Sequence, residues 1–274
     1  MGGIYALISM GMSLQYGVAR ILNISHGEFI MYGALLTWGL VLLGLPPFIA
    51  MIIVCPLTVV FGYLMHRLLY ERLKRISKSV AVFEGNAILL AFGLMFIMQN
   101  TAARIWGVEP VRYSFMATSV TIGPSIFAAN RVIVLCFAIV LSALFYFFLT
   151  KSRLGKAIRA TAEDPVAAGL MGVNIKSVMA ACFGIGAMMA GIAGSLISMI
   201  QSISTKIGMS YTLIAIIVVV LGGLGSVPGS LIGGVILGIV GTIMMTVQPS
   251  LTIVVFYAMI MILLLVRPKG LMGR

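Results

Sequence analysis

Titratable side chains are scarce in this chain. Its 274 residues hold six Asp and Glu, two His and three Cys. Catalysis and metal binding need such groups to converge, and none recur here at metal-ligand spacing within an apolar run. The inventory argues against an enzyme. His66 lies beside a basic segment and reads as a solvated interfacial residue. Cys55, Cys136 and Cys182 each fall inside an apolar run, at no disulfide or metal spacing, which leaves core packing. Residues 169–177, GLMGVNIKS, contain a Gly and a Lys-Ser pair. Ile175 stands where a phosphate-binding loop needs Gly before the Lys. No cofactor is expected on this chain, and any ATP used with it must sit on another.

Charge of both signs is sparse. Charged residues make up 9% of the chain, hydrophobic residues 61%, and the mean hydropathy is +1.18. That is the composition of an all-α polytopic membrane protein embedded in a lipid bilayer. The net charge of +12 suggests nucleic acid at first sight. The cations, however, sit in short clusters between long apolar runs, as in the loops of a membrane protein, so no nucleic-acid partner is expected.

The apolar runs predict eight to nine transmembrane helices in one membrane domain, residues 1–274. The first, residues 1–19, opens apolar without a basic lead and reads as a span or partial span, not a secretory leader. Residues 29–65 hold two spans parted by Pro46-Pro47. Spans follow at 85–103, 132–150 and 177–200, with a long mixed loop at 104–131 carrying Trp106, Pro110 and Pro124. Residues 207–266 are 60 residues without a charge, room for three spans at about 20 residues each. Gly222–Ser230 (GGLGSVPGS) and Gln248-Pro249-Ser250 supply the breaks.

The basic residues set the expected orientation. The loop after Met65, the segment 151–176 and the C-terminal tail carry five, five and three of them, and Arg20 joins that side by parity. With these inside, the C-terminus is cytoplasmic and the N-terminus external. Arg104, Arg112, Arg131 and Lys206 remain outside.

Three polar stretches stand out. Residues 151–176 form a basic island holding the adjacent acids Glu163 and Asp164. Asp164 can cap a short helix, Pro165 suits its first position, and Gly172 offers a left-handed stop. Ala167, Ala168 and Gly169 lie between them. Two turns of helix are not stable alone, so this one must lie against something. Lys151–Arg159 reads as ordinary positive-inside anchoring. The stretch 23–28, NISHGE, has capping-box spacing between Ser25 and Glu28, which would satisfy the first N–H groups of the second span. Beside that stands a functional reading in which Asn23, His26 and Glu28 line or gate a path, because acids at membrane depth are costly. Gly222, Gly223 and Gly225 make a third stretch, either a cytoplasmic turn or a path-lining segment. The glycine ladders at Gly186, Ala190 and Gly194, at Gly225, Gly229 and Gly233, and at Gly234 with Gly238 read as close helix packing.

Residues 5–34, 159–174 with 183–196, and 220–234 with the tail RPKGLMG together resemble the membrane subunit of bacterial ABC importers for branched-chain amino acids, the LivH type. The resemblance covers nearly the whole chain. It implies the ABC importer permease fold in a bacterial inner membrane. The implied partners are a second permease subunit, homologous or identical, two cytoplasmic ATPases that use ATP, and a periplasmic or lipid-anchored binding protein. It assigns 151–176 as the cytoplasmic coupling loop, with Glu163–Gly172 meeting the ATPase, and puts the binding protein on loops 104–131 and 201–210. Relatives commonly begin with a further apolar stretch, which places Met1 partway into the first helix. Amino-acid members commonly carry a Lys within the region of 213–220, where this chain reads LIAIIVVV. A permease for urea or another small polar solute therefore stays open as an alternative. From another class, so does an ATP-independent secondary transporter, although that would need ionisable groups in the uncharged run 207–266.

Overall fold

The computed structural model describes residues 1–116, 118–122 and 125–273, and over these the chain is mostly helix. The chain begins with α1 (Gly2–Ala19), α2 (His26–Leu42) and α3 (Pro47–Met65). Pro47 stands at the start of α3, where its missing N–H costs nothing. The basic segment after Met65 is not a loop. A π turn, His66–Tyr70, carries α3 directly into α4 (Glu71–Ile76). Lys74 and Arg75 in the last turn suit the negative end of the helix dipole, and Arg75 meets Glu71 at 2.7 Å one turn back. His66 is buried there, its ring 4.8 Å from that of Phe183, instead of being solvated.

Next come α5 (Val80–Trp106), a hairpin of β1 (Ser119–Ile122) and β2 (Ser125–Ala128), and α6 (Ala129–Lys151). The expected mixed loop thus contains an antiparallel pair, with Ser119 opposite Ala128. Pro124 lies outside the described residues, as does Arg274 of the tail. The basic island holds two helices, α7 (Arg153–Glu163) and α8 (Pro165–Leu170), and leads into α9 (Ile175–Ser198). The uncharged run divides as expected into α10 (Ile207–Gly222), α11 (Val227–Val247) and, after a 3-10 turn at Pro249–Leu251, α12 (Thr252–Val266).

Nine of these helices, among the described residues, have fifteen residues or more and stand where the spans were expected. Six helical stretches are long and apolar enough to cross a membrane, and α10 is a shorter apolar helix. The remaining two, α1 and α2, are largely buried in the bundle, so they need not be apolar on every face. Cys182 is buried and Cys55 partly so, but Cys136 is exposed on α6, against the core-packing expectation.

Helices α1 and α9 cross at the centre. A Cβ added to Gly11 would fall 2.9 Å from the Gly186 carbonyl oxygen, so the crossing admits only glycine backbone. Helix α3 packs along α9, and α11 packs along α1 in the same manner. Helix α2 leaves α1 and meets α10, which leaves α9. The pairs α3 with α9 and α11 with α1 thus flank the central crossing on its two sides. The remaining glycines of the ladders also sit at contacts: Gly234 and Gly238 on α1, Gly194 on α2, and Gly229 and Gly233 on α10.

Candidate functional site

The stretch 23–28 does not leave the bundle between α1 and α2. Helix α1 ends at Arg20, whose φ of 53° turns the chain back. The next residues run beside α1 without helical hydrogen bonds. Asn23 Nδ2 donates to Gln15 Oε1 at 3.3 Å, and His26 Nε2 donates to the Ile8 carbonyl at 3.1 Å. Asn23 Oδ1 accepts from Ser25 Oγ at 2.7 Å and from the Tyr70 hydroxyl at 3.4 Å. Irregular backbone at this depth survives because protein surrounds it. Asn23, Ser25, His26 and Glu28 are all fully or almost fully buried.

The capping box is not formed. Ser25 is the N-cap residue but makes no side-chain cap bond, because its hydroxyl goes to Asn23. Glu28 does not reach back. Its Oε1 accepts from Gln99 Nε2 of α5 at 2.8 Å. The freed N–H of Gly27 is taken by Thr212 Oγ1 of α10 at 2.9 Å, and that hydroxyl donates in turn to the Ile24 and Gly208 carbonyls, each at 3.1 Å. Glu28 Oε2 and His26 Nδ1 have no hydrogen-bond partner among the described residues. The carboxylate rests on the first turn of α10, and a Cβ at Gly208 would fall 2.5 Å from its Cδ. It thus stands at the N-terminal ends of α2 and α10 together, where both helix dipoles favour a negative charge.

Gln99 was missed from sequence. Its signal is the Gln99-Asn100 pair inside an otherwise apolar run. Asn86, Gly93 and Asn100, at seven-residue spacing on α5, are exposed. Among the described residues, no atom lies within 4 Å of where a Cβ at Gly93 would stand.

The second polar region is the expected short helix. Asp164 Oδ1 accepts from the N–H groups of Val166 at 2.8 Å and Ala167 at 3.0 Å, and Pro165 opens the helix. At the other end Gly172 adopts φ 85°, with Gly172 N–H bonded to Gly169 O at 3.0 Å and Val173 N–H to Ala168 O at 3.1 Å. That pair of bonds is the Schellman stop. Ala168 is buried and Gly169 lies close to Ile175, whereas Val166, Leu170 and Met171 are exposed, the last two at 85% and 86%. Glu163 ends α7.

The front of the island is more than a cluster of anchoring cations. Ser152 Oγ accepts from Gly155 N–H at 2.9 Å to start α7, and Ile158 and Thr161 are buried. Arg159 donates to the Thr150 carbonyl at 3.1 Å, tying α7 to the end of α6. Helix α7 also packs on α1 and α9, so α8 is carried on a helix seated against the core.

Gly222, Gly223 and Gly225 form the turn between α10 and α11, apart from residues 23–28. Gly223 and Gly225 have φ of 103° and 80°. The tail folds onto this turn: Leu271 N–H bonds to Leu221 O at 2.9 Å and Met272 N–H to Gly222 O at 3.0 Å. Gly225 also abuts Gly17 at the end of α1.

The basic segments share one end of the bundle. Glu71 Oε1 is 3.5 Å from Lys176 Nζ, bridging the segment after α3 to the one before α9. At the other end the two loops expected to face outward meet. Val111 and Ile203 exchange a pair of backbone hydrogen bonds of 2.8 Å, and Asn130 donates to the Met199 carbonyl at 3.2 Å.

A bundle of apolar helices around a broken, polar crossing, with a capped apolar helix exposed at its basic end, defines a multi-pass transport permease. The chain belongs to the family described as branched-chain amino acid transport system / permease component, whose model matches residues 1–264. It is 30% identical to the high-affinity branched-chain amino acid transport system permease protein LivH of Salmonella typhimurium, over all of this chain and 92% of that protein. It is equally similar to the permease protein BraD of Pseudomonas aeruginosa, with the same coverage. The fructose import permease protein FrcC of Rhizobium meliloti is 25% identical, over 93% of this chain and 70% of the relative. No solved structure matches.

Proposed function

We propose that this chain carries branched-chain or other amino acids across a bacterial inner membrane as the permease of a binding-protein-dependent ABC importer. The solute class rests on the full-length relatives named for that transport. The observation that carries the mechanism is α8, whose small side is seated on the chain while Leu170 and Met171 stand exposed. Such a rigid, doubly capped unit suits a groove on a separate ATPase. ATP binds there and not on this chain. Glu163, Asp164, Pro165, Ala167, Ala168, Gly169 and Gly172 build the coupling unit, and α7 transmits its displacement to α1, α6 and α9.

The basic end is cytoplasmic and the N-terminus external, following the distribution of Lys and Arg. The binding protein docks on the opposite end, where the loops at Val111 and Ile203 are tied together. A second permease, identical or homologous, covers the exposed Asn86, Gly93 and Asn100 face of α5, because polar and small residues there gain nothing from lipid. Glu28, His26 and Asn23 lie behind α5, and movement of α5 breaks the Glu28–Gln99 bond and opens that polar crossing to the path. Alternate opening then follows from two packings of the helices, each favoured by one state of the ATPases. Deletion of residues 165–171 is expected to leave membrane insertion intact and to abolish co-purification of the ATPase. Co-purification with the deleted chain would overturn the assignment.

A further inference from the structure

A cavity of about 460 Å³ lies at the basic end, between the end of α1, the α4–α5 junction, α7 and the first residue of α8. Its wall is mostly apolar, with Val18, Phe83 and Met179 buried, and it carries two cations, Arg20 and Lys74, against one acid, Glu84. A second cavity of about 250 Å³ adjoins it and shares Lys74, Phe83 and Met179. Val80, which lines the first cavity, is exposed, as is Ile76 beside it.

The charges on this wall differ from those nearby. Arg75 and Lys176 are both engaged by Glu71, at 2.7 and 3.5 Å. Arg20 and Lys74 make no ion pair among the described residues. Arg20 is also held at φ 53°, a left-handed conformation that strains a non-glycine residue. A glycine would end α1 there without strain, but it would bring no guanidinium to the cavity.

We propose that this cavity binds an anionic phospholipid of the adjacent leaflet, with Arg20 and Lys74 on its phosphate and the apolar wall around its acyl chains. Basic pockets between helices at a membrane surface suit that chemistry, because the headgroup supplies the charge and the chains fill the dry space. A soluble anion would leave the apolar wall uncovered. The ATPase is a poorer occupant, since α8 lends the cavity only Pro165 and leaves Leu170 and Met171 exposed for a protein. A lipid seated here touches α1, α5 and the root of α8 at once, and so links the composition of the leaflet to the setting of the coupling helix. The inference does not depend on which solute is carried.

The test reconstitutes the full chain with its partner subunits in phosphatidylcholine vesicles containing either photoactivatable phosphatidylglycerol or photoactivatable phosphatidylcholine. The phosphatidylglycerol probe is expected to label peptides containing Arg20 and Lys74 in preference to the neutral probe. Arg20→Gln and Lys74→Gln should each weaken that labelling about fivefold, the equivalent of about 1 kcal/mol per cation near an anionic surface. Arg20→Lys should retain most of it. Arg20→Gly relaxes the backbone and so guards against misfolding, yet it should lose the label as Arg20→Gln does. Lys151→Gln, outside the cavity, should leave labelling unchanged. Equal labelling by the two probes overturns the proposal, as does an equal loss in Lys151→Gln. Displacement of the label by inorganic phosphate would make this a soluble-anion site, and protection by bound ATPase would make it a protein interface; either result also overturns it.

Discussion

Residues 23–28 and 164–172 are both short polar breaks in an apolar chain, yet the structure treats them in opposite ways. The first is sealed: every polar side chain in it is buried, and its partners come from α1, α5 and α10. The second is open: Asp164 caps its own backbone, and the large apolar side chains Val166, Leu170 and Met171 face outward. A break that completes its own hydrogen bonds can move as a unit and present a surface. A break that borrows partners from distant helices locks those helices together. Under the proposed function the open break receives force and the sealed break yields when the helices shift.

The strongest challenge to this contrast is to make the open helix polar. Leu170→Asp with Met171→Asp leaves both caps of α8 intact and removes its exposed apolar surface. Two side chains acting as interface anchors, at about 2 kcal/mol each, predict a loss of ATPase affinity of about a thousandfold, read by titration in detergent. Unchanged affinity would mean that α8 is not the contact.

The sealed break is tested next through Gly208. A Cβ there falls 2.5 Å from Glu28 Cδ and 2.6 Å from Oε2, so Gly208→Ala must displace the buried carboxyl from its Gln99 bond or push α2 from α10. The cost is expected at about 1–3 kcal/mol, seen as a lower melting temperature of the purified chain. Adding Glu28→Ala should recover part of the loss, since the clash lies between these two groups. Additive losses would place the damage elsewhere.

The same comparison explains what the sequence could reveal. Every determinant of α8 lies within residues 164–173, so the Asp-Pro start and the Gly stop were readable directly. The spans were readable because apolar run length sets them, and the glycine ladders because close packing needs small residues at fixed spacing. The capping box at Ser25 and Glu28 was also readable, and it failed. Gln99 lies 71 residues away and takes the carboxylate, while Thr212 takes the Gly27 N–H. Helices α4 and α7 were hidden for a simpler reason: their cations broke the apolar runs, although cations at a helix C-terminus, or on one side of an amphipathic helix, are compatible with helix.

Glu28→Gln separates the charge of the sealed break from its shape. The amide can still bond Gln99, and an incompletely paired buried charge disappears, so stability is expected to hold or rise slightly. Solute uptake in vesicles is expected to fall about tenfold, as when about 1.4 kcal/mol of a functional interaction is lost. Uptake at the unaltered rate would show that the carboxylate is only a structural tie and that no charged gate operates there.

The smallest effect belongs to Asp164→Ala. Its Oδ1 holds two N–H groups at the start of α8, and losing such a cap costs about 1 kcal/mol. The Schellman bonds at Gly172 and Val173 survive, so the helix should fray from its first turn without dissolving. Amide exchange at Val166 and Ala167 should quicken about fivefold, with α9 unchanged, and ATPase affinity should drop by no more than that factor. Asp164→Asn, which keeps an accepting oxygen, should restore both. If Asp164→Ala instead weakened the ATPase as much as the double Asp substitution at 170 and 171, and Asn failed to rescue it, the carboxylate would itself be a contact. The open break would then depend on a distant partner, as the sealed one does, and the contrast between them would fail.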